Sequence, residues 1–364
     1  MNLLIDKYNR KIDYIRVSIT DRCDLKCIYC TPKDSGRHSR RRAILRFEEI
    51  TRIVRCFANM GVHHVRITGG EPLMRKGLVS LIEQLSRIDG IDDLAMTTNA
   101  TLLARYARDL KEAGLKRVNI SLDTLKPEIF KIISGGGRLE DVLNGIRAAV
   151  NFGLTPINLN AVAMKGLNDN ELIALVDFAI ENNANMRFIE CMPVGRLGNL
   201  GKERFISVKE IKSLIGNHFE LIPSIPPLLK GGAKVIPPLL KGGEGGLVGG
   251  GPASYFHIKS AISNQQSAIK IGFISPITQH FCEYCNRVRL TAEGILRLCL
   301  GQKSEIDLRD YIRSGISDDA LQEIIVKAVL NKPQGHQFSA YSQQGQVSTD
   351  EGIPIEKAMS MIGG

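Results

Sequence analysis

Two separate cysteine trios constrain this chain more than any other feature. Cys23, Cys27 and Cys30 are spaced C-x3-C-x2-C, and Cys282, Cys285 and Cys299 are spaced C-x2-C-x13-C. A structural zinc site normally takes four protein ligands, and each trio offers three thiolates. Three cysteines can hold a cubane [4Fe–4S] cluster with one iron left open to something that is not protein. Two trios therefore imply two cluster sites, each able to bind a small molecule.

At 364 residues, 43% of them hydrophobic, the chain can form one large α/β barrel or two ordinary domains with an ample core. No run of eighteen or more apolar residues occurs, so no transmembrane helix and no membrane partner are expected. The N-terminal MNLLIDKYNRKIDYIRVSIT has no apolar signal-peptide core, which points to the cytoplasm. Eight cysteines in that compartment argue for metal or redox chemistry rather than disulfides. Cys56 and Cys191, outside the trios, read as buried small hydrophobes. The net charge of +10 fits nucleic acid or a nucleotide triphosphate. The basic run Arg37–Arg42 has no interleaved aromatics, and the chain has no Trp, so the run reads as a solvated loop and no nucleic-acid partner is expected.

From Tyr14 to about Glu190 short β-like runs alternate with amphipathic helices. Strands are predicted at Tyr14–Ile19, His64–Thr68, Leu94–Thr98, Arg117–Leu122, Ile157–Ala163 and Met186–Ile189. Helices are predicted at stretches such as Phe47–Met60, Thr101–Ala113, Leu139–Phe152 and Glu171–Asn182, with Gly61, Gly114 and Gly153 where C-caps belong. This alternation predicts a parallel sheet with helices outside, and six repeats suit a partial (β/α)6 barrel. In such folds chemistry gathers at the C-terminal ends of the strands. Polar or glycine-rich turns follow four of them: Gly69-Gly70-Glu71-Pro72, Thr97-Thr98-Asn99, Ser121-Leu122-Asp123 and Glu190-Cys191-Met192-Pro193.

Residues 222–252 differ in kind. IPPLLKGG occurs at Ile225–Gly232 and again at Ile236–Gly243, and a glycine run follows. Such Pro and Gly content forms no regular element, so the segment is expected to be a mobile insertion without chemistry. Ser260–Ala268 reads as a second, shorter insertion. Beyond it come a β-like Lys270–Ser275, two strands joined at Glu293-Gly294 that return Cys299 beside Cys282 and Cys285, and helices Asp307–Ser314 and Asp318–Leu330. The expected division is a barrel over 1–205 and a C-terminal cluster-bearing domain over 206–364.

The first trio, with Tyr29 before its last cysteine, resembles the signature of the radical S-adenosylmethionine (SAM) superfamily, and Gly69-Gly70-Glu71-Pro72 resembles its second signature. That resemblance implies a [4Fe–4S] cluster whose open iron chelates SAM and an electron that cleaves it to a 5′-deoxyadenosyl radical. Phe281–Leu300 (FCEYCNRVRLTAEGILRLCL) resembles the GTP 3′,8-cyclases of molybdenum cofactor biosynthesis. So do GPASYF at Gly251–Phe256, GFISPIT at Gly272–Thr278, KPQGHQF at Lys332–Phe338 and the terminal MSMIGG. The resemblance implies a lyase that forms 3′,8-cyclo-7,8-dihydro-GTP, with a second [4Fe–4S] cluster holding the guanine.

Site residues carry over from the same resemblance. Cys23, Cys27, Cys30, Cys282, Cys285 and Cys299 would hold the clusters. Tyr29, Gly70, Thr97, Ser121 and Met192 would bind SAM. Arg16, Arg66, Arg187, Arg287 and Arg289 would bind GTP, with Arg16 and the final Gly363-Gly364 needed for catalysis. His64 and Asn158 stand where many relatives have lysines directed at phosphates; Asn158 is retained as a GTP contact. The implied partners are cyclic pyranopterin monophosphate synthase, which takes the product, and a flavodoxin- or ferredoxin-type electron donor; a homodimer is allowed. Other readings stay open: a Cys3His zinc site using His280, a peptide-modifying radical SAM maturase, and an iron–sulfur RNA-binding protein. The arginines between Cys285 and Cys299 and the terminal Gly-Gly favour the cyclase.

Overall fold

The computed structural model describes residues 3–30, 39, 42–192, 203–224, 252–260, 266–336 and 338. Six parallel strands form its centre: β1 (Tyr14–Ser18), β2 (His64–Thr68), β3 (Asp93–Thr98), β4 (Arg117–Ser121), β5 (Asn158–Ala163) and β6 (Asn185–Glu190). They are hydrogen-bonded in chain order. Helices α1 (Phe47–Asn59), α2 (Leu78–Ser86), α3 (Leu103–Glu112), α4 (Pro127–Ser134), α5 (Leu139–Asn151) and α6 (Leu172–Glu181) lie between them in sequence. Gly61, Gly114 and Gly153 have φ of +87°, +103° and +67°, the left-handed geometry that ends α1, α3 and α5 without strain.

The rest of the chain extends this sheet at both edges. β9 (Gln266–Ile274) pairs parallel with β6, and β8 (Ser254–Ser260) and β7 (Phe219–Pro223) follow it antiparallel. At the other edge β10 (Arg287–Leu290) pairs parallel with β1, followed by β11 (Ile295–Arg297) and β12 (Glu305–Asp307). The result is one twelve-stranded sheet. Helices α7 (Val208–Gly216), α8 (Leu308–Arg313) and α9 (Asp318–Leu330) complete the order. The two parts of the chain are also joined through charge. Arg313 Nε donates to Glu49 at 2.9 Å, and Arg52 Nε to Asp318 at 2.6 Å.

A parallel sheet covered on both faces usually reads as continuous apolar strands; these strands alternate instead. Ile15, Val17, Val65, Ile67, Leu94, Met96, Val118, Ile120, Leu159, Ala161, Met186 and Phe188 are buried in the core cluster, which includes residues of the helices. The intervening positions carry Tyr14, Arg16, Arg66, Thr97, Arg117, Asn119, Asn158 and Arg187, all on the opposite face by strand parity. The barrel therefore has an apolar outer layer and a polar inner wall.

The expected elements hold to within a few residues, with one correction. Ser260–Ala268 is not an insertion between elements: β8 runs through Ser260 and β9 begins at Gln266, opposite Lys259. Antiparallel pairing pulls these polar residues into the sheet, which local composition could not reveal; 261–265 lie outside the described residues. So do 225–251, with both IPPLLKGG copies. Their flanks are fixed side by side, Pro223 opposite Phe256 and Ser224 N donating to Tyr255 O at 3.1 Å. Among the described residues no helix is long and apolar enough to cross a membrane.

Candidate active site

The first trio lies in the loop after β1, at the C-terminal rim of the sheet. That loop is clamped by the turn after β2. Gly70 N donates to Thr20 O at 2.6 Å and Glu71 N to Arg22 O at 2.7 Å. A Cβ on Gly70 would stand 2.1 Å from Arg22 O, so only glycine lets the two backbones meet. On the far side Lys26 N and Ile28 N donate to Ser134 O and Ile133 O of α4. Tyr29 OH donates to Asp123 at 2.7 Å, and Asp123 also accepts from Val162 N at 2.8 Å, tying the trio to the ends of β4 and β5. Thr97 and Ser121, half-buried, and Met192, just past β6, share this rim.

The rim is acidic. Glu71 is buried and accepts from Thr98 Oγ1, Asn99 N and Leu73 N; burial raises its carboxyl to about 7. Burial likewise raises Asp123 to about 6. The Cys23 thiol is pushed up to about 12 by burial, then by Glu71 and Asp24; Cys27 is raised by burial, then by Asp123 and Cys30. Among the described residues no three His, Cys, Asp or Glu side chains converge as ligands of one metal ion. A cubane asks for something different, three thiolates each on a separate iron. The three half-buried cysteines, close enough to act on one another's charge, suit that demand.

The inner wall carries the basic charge. Register places Arg289 beside Arg16, Arg16 beside Arg66, Arg66 beside Ala95 and Ala95 beside Arg117. Neighbouring strands are about 4.8 Å apart, so the first three arginines are immediate neighbours. Arg287 sits one pleat away beside Tyr14, and Arg187 lies across the barrel beside Asn160 and Gly272. Arg117 is neutralised by Asp93, with Nε donating at 2.8 Å. Asp93 also faces His64 at 3.3 Å, and these bonds hold its carboxyl well below the usual range despite burial.

Arg16, Arg66, Arg187 and Arg287 form no ion pair with a carboxylate among the described residues. Nε of Arg16, Arg66, Arg187 and Arg287, and the hydroxyl of Tyr14, are buried without a hydrogen-bond partner. Burial, then the charge of Arg289, lowers Arg16; burial brings Arg66 and Arg289 down to about 10, still cationic at neutral pH. Buried cations with no carboxylate beside them are costly, and several on one wall fit a polyanion. Asn158 is already engaged: its Nδ2 donates to Asn119 at 3.0 Å and its Oδ1 accepts from Asn185 at 3.2 Å. Asn119 also accepts from Arg187 at 3.0 Å, while its own Nδ2 and Asn160 Oδ1 have no partner. Tyr14, Arg117, Asn119 and Asn160 line this wall without having been singled out in the sequence; strand parity alone could have found them.

The second trio lies at the opposite end of the strands. Asp13 N and Tyr14 N both approach Asn286 O, so Cys282 and Cys285 sit where β1 begins. The β10–β11 hairpin, turning at Gly294 with φ +89°, brings Cys299 back to them. The trios are thus separated by the length of β1, about 15 Å at about 3.3 Å per residue, and the arginines line the space between. Burial alone would raise the Cys285 thiol, but Lys332 and Arg287 bring it down to about 7. His280 faces His336 instead, with Nδ1 3.0 Å from its Nε2. Gly363 and Gly364 lie outside the described residues.

An open parallel α/β barrel with a three-cysteine loop at its C-terminal rim defines a radical SAM enzyme. The family model for the radical SAM superfamily matches residues 17–179, and that for molybdenum cofactor synthesis C matches 241–338. The structure is similar to Streptococcus suis SuiB bound to S-adenosylmethionine, with a TM-score of 0.59, 16% identity, and 91% of this chain and 74% of that one covered. A GTP 3′,8-cyclase of Hydrogenovibrio crunogenus is 46% identical over 92% of this chain and 95% of its own length. That of Heliobacterium modesticaldum is 41% identical over 99% and 100%. The chain belongs to the GTP 3′,8-cyclase family.

Proposed function

We infer that the protein converts GTP to 3′,8-cyclo-7,8-dihydro-GTP, the first step of molybdenum cofactor biosynthesis, as a radical SAM lyase. The observation that carries this reading is the set of arginines on the inner wall between two cysteine trios, four of which bury an Nε without a hydrogen-bond partner. When bound, the first [4Fe–4S] cluster and SAM supply the 5′-deoxyadenosyl radical that takes the hydrogen from C3′ of GTP. Cys23, Cys27 and Cys30 would hold that cluster, and Tyr29, Gly70, Thr97, Ser121 and Met192 would bound the SAM site. The acidic rim favours the cationic sulfonium and ammonium of SAM.

Arg16, Arg66, Arg187, Arg287 and Arg289 would bind the triphosphate and guanine by forked, charge-assisted hydrogen bonds. Cys282, Cys285 and Cys299 would hold the second cluster against the base. Residues 1–205 would generate the radical and 206–364 place the substrate, with Gly363-Gly364 completing the site. The wider proposal is a cytoplasmic enzyme, reduced by a flavodoxin or ferredoxin and passing its product to cyclic pyranopterin monophosphate synthase; a homodimer is compatible with it. The test is an anaerobic assay with reductant, SAM and GTP deuterated at C3′. Deuterium should appear in 5′-deoxyadenosine; transfer from another ribose carbon sinks the assignment.

A further inference from the structure

The motif beginning at Lys332 has no role in the substrate reading, yet the structure sets it across the second trio. Lys332 is 2% exposed, among the most buried side chains in the protein. Its Nζ donates to Arg287 O at 2.8 Å and also to Leu298 O. The first carbonyl lies two residues after Cys285 and the second one residue before Cys299. Arg10, 7% exposed, supplies the third connection. Its Nη1 donates to Cys282 O and Gln334 O, each at 2.7 Å, and its Nη2 to Pro333 O at 2.6 Å. Asp6 holds Arg10 in place, accepting from its Nε at 2.6 Å.

Each cysteine segment is therefore gripped by a buried cation, and the cations are linked because Arg10 also binds the carbonyls just after Lys332. Gln302 Nε2 fastens the same strip, donating to Gly335 O at 2.6 Å. Arg10 has the Asp6 carboxylate; Lys332 forms no ion pair among the described residues. A buried ammonium with no carboxylate beside it is unfavourable for an empty protein. It is favourable beside three thiolates and the net negative charge they bring to a cluster. The hairpin brings Cys299 back towards Cys282 and Cys285, and the two cations, from segments remote in sequence, fasten the backbone on either side of it.

We propose that Lys332 and Arg10 are positioning residues that preform the second cysteine trio, holding its three backbone segments in place before any cluster is bound. The proposal rests on the reading of Cys282, Cys285 and Cys299 as a cluster site. Lys332 acts on Cys285 and Cys299 together, and Arg10 on Cys282. Removing the lysine should loosen two sulfurs, removing the arginine one, and neither should touch the first trio at the far end of β1.

The test uses the full-length chain as Lys332→Met, Lys332→Gln and Arg10→Gln. Amide hydrogen exchange of the cluster-free protein should accelerate over residues 282–299 in Lys332→Met while β2–β5 keep parental protection. After anaerobic reconstitution that variant should lose the iron of one cluster, about half of the total, and keep the electron-paramagnetic signal of the first. Lys332→Gln, which retains a donor, should recover part of the protection. Arg10→Gln should expose the Cys282 segment alone. Parental exchange and iron content in both Lys332→Met and Arg10→Gln overturn the proposal. So does deprotection spread evenly over the barrel, which would make Lys332 a general prop of the fold. Failure of the parent's own second trio to bind iron would instead overturn the cluster reading.

Discussion

Carboxylates surround the first trio and cations the second. Burial, Glu71, Asp24 and Asp123 raise the thiols of Cys23 and Cys27, whereas Lys332 and Arg287 pull Cys285 down to about 7 against its burial. The same number of cysteines thus sits in opposite fields. The difference teaches that a cysteine motif states how many irons can be held, while the charge around it states what the open iron can meet. A cationic cosubstrate suits the acidic rim, and an anionic nucleotide suits the arginine-lined interior.

The sharpest way to break this comparison is to delete each trio in turn. The parent should hold about eight irons per chain after anaerobic reconstitution, and either triple Cys→Ala variant about four. Without Cys23, Cys27 and Cys30, SAM cleavage should vanish. Without Cys282, Cys285 and Cys299, SAM should still be cleaved but no cyclised GTP form. Zinc in the second trio, read by elemental analysis, would end the two-cluster account.

Next in size is the arginine wall. Arg16→Met or Arg187→Met should weaken GTP binding about tenfold to a hundredfold, from about 1.5–3 kcal/mol per charge-assisted hydrogen bond. Arg16→Met also removes a cation whose buried Nε has no hydrogen-bond partner, so its GTP-free protein should melt at a higher temperature. Calorimetric GTP titration with melting curves checks both signs; loss of affinity with a lower melting temperature would mean the arginines serve the fold instead.

A smaller effect separates the glycines near each trio. Gly70→Ala drives a Cβ into Arg22 O and should destabilise by about 1–3 kcal/mol, the usual cost of overpacking, while displacing the first trio. Gly335→Ala meets Cys282 at 3.5 Å, an ordinary contact, and should be nearly silent. Iron content and urea denaturation of the two variants should diverge accordingly.

The smallest expected effect is a pH slope. Glu71 titrates near 7 in the fold against an ordinary 4.5. The folded state therefore binds the extra proton between those values. Its contribution to stability is full below about 4.5 and is lost as pH rises through 7. Glu71→Gln should flatten that decline in denaturation curves measured from pH 5 to 8; an unchanged slope would show that the carboxyl is not protonated in the folded protein.

Much of this was legible because it is local. Alternation of period 2 with period 3.6 marked the six central strands and the helices between them, and Glu293-Gly294 marked the hairpin that returns Cys299. The trios and the basic pair Arg287 and Arg289 were plain from spacing. The side-chain network was not legible: the amide of Asn158 joins Asn119 and Asn185, which lie on other strands. Ser260–Ala268 shows the limit of local composition, since polar residues at its ends became strand ends through pairing.

The chain's own letters determined the spacing of the cysteine trios, the alternation and the inward polarity of each strand, because those follow from neighbours a few residues apart. Only the tertiary structure decided that β10 lies beside β1, which sets Arg289 against Arg16 across 273 residues of sequence. It also decided that Arg10 and Lys332 meet at the second trio. Parallel pairing and buried side-chain contacts join segments remote in sequence, and their register is chosen by the packing of the whole sheet.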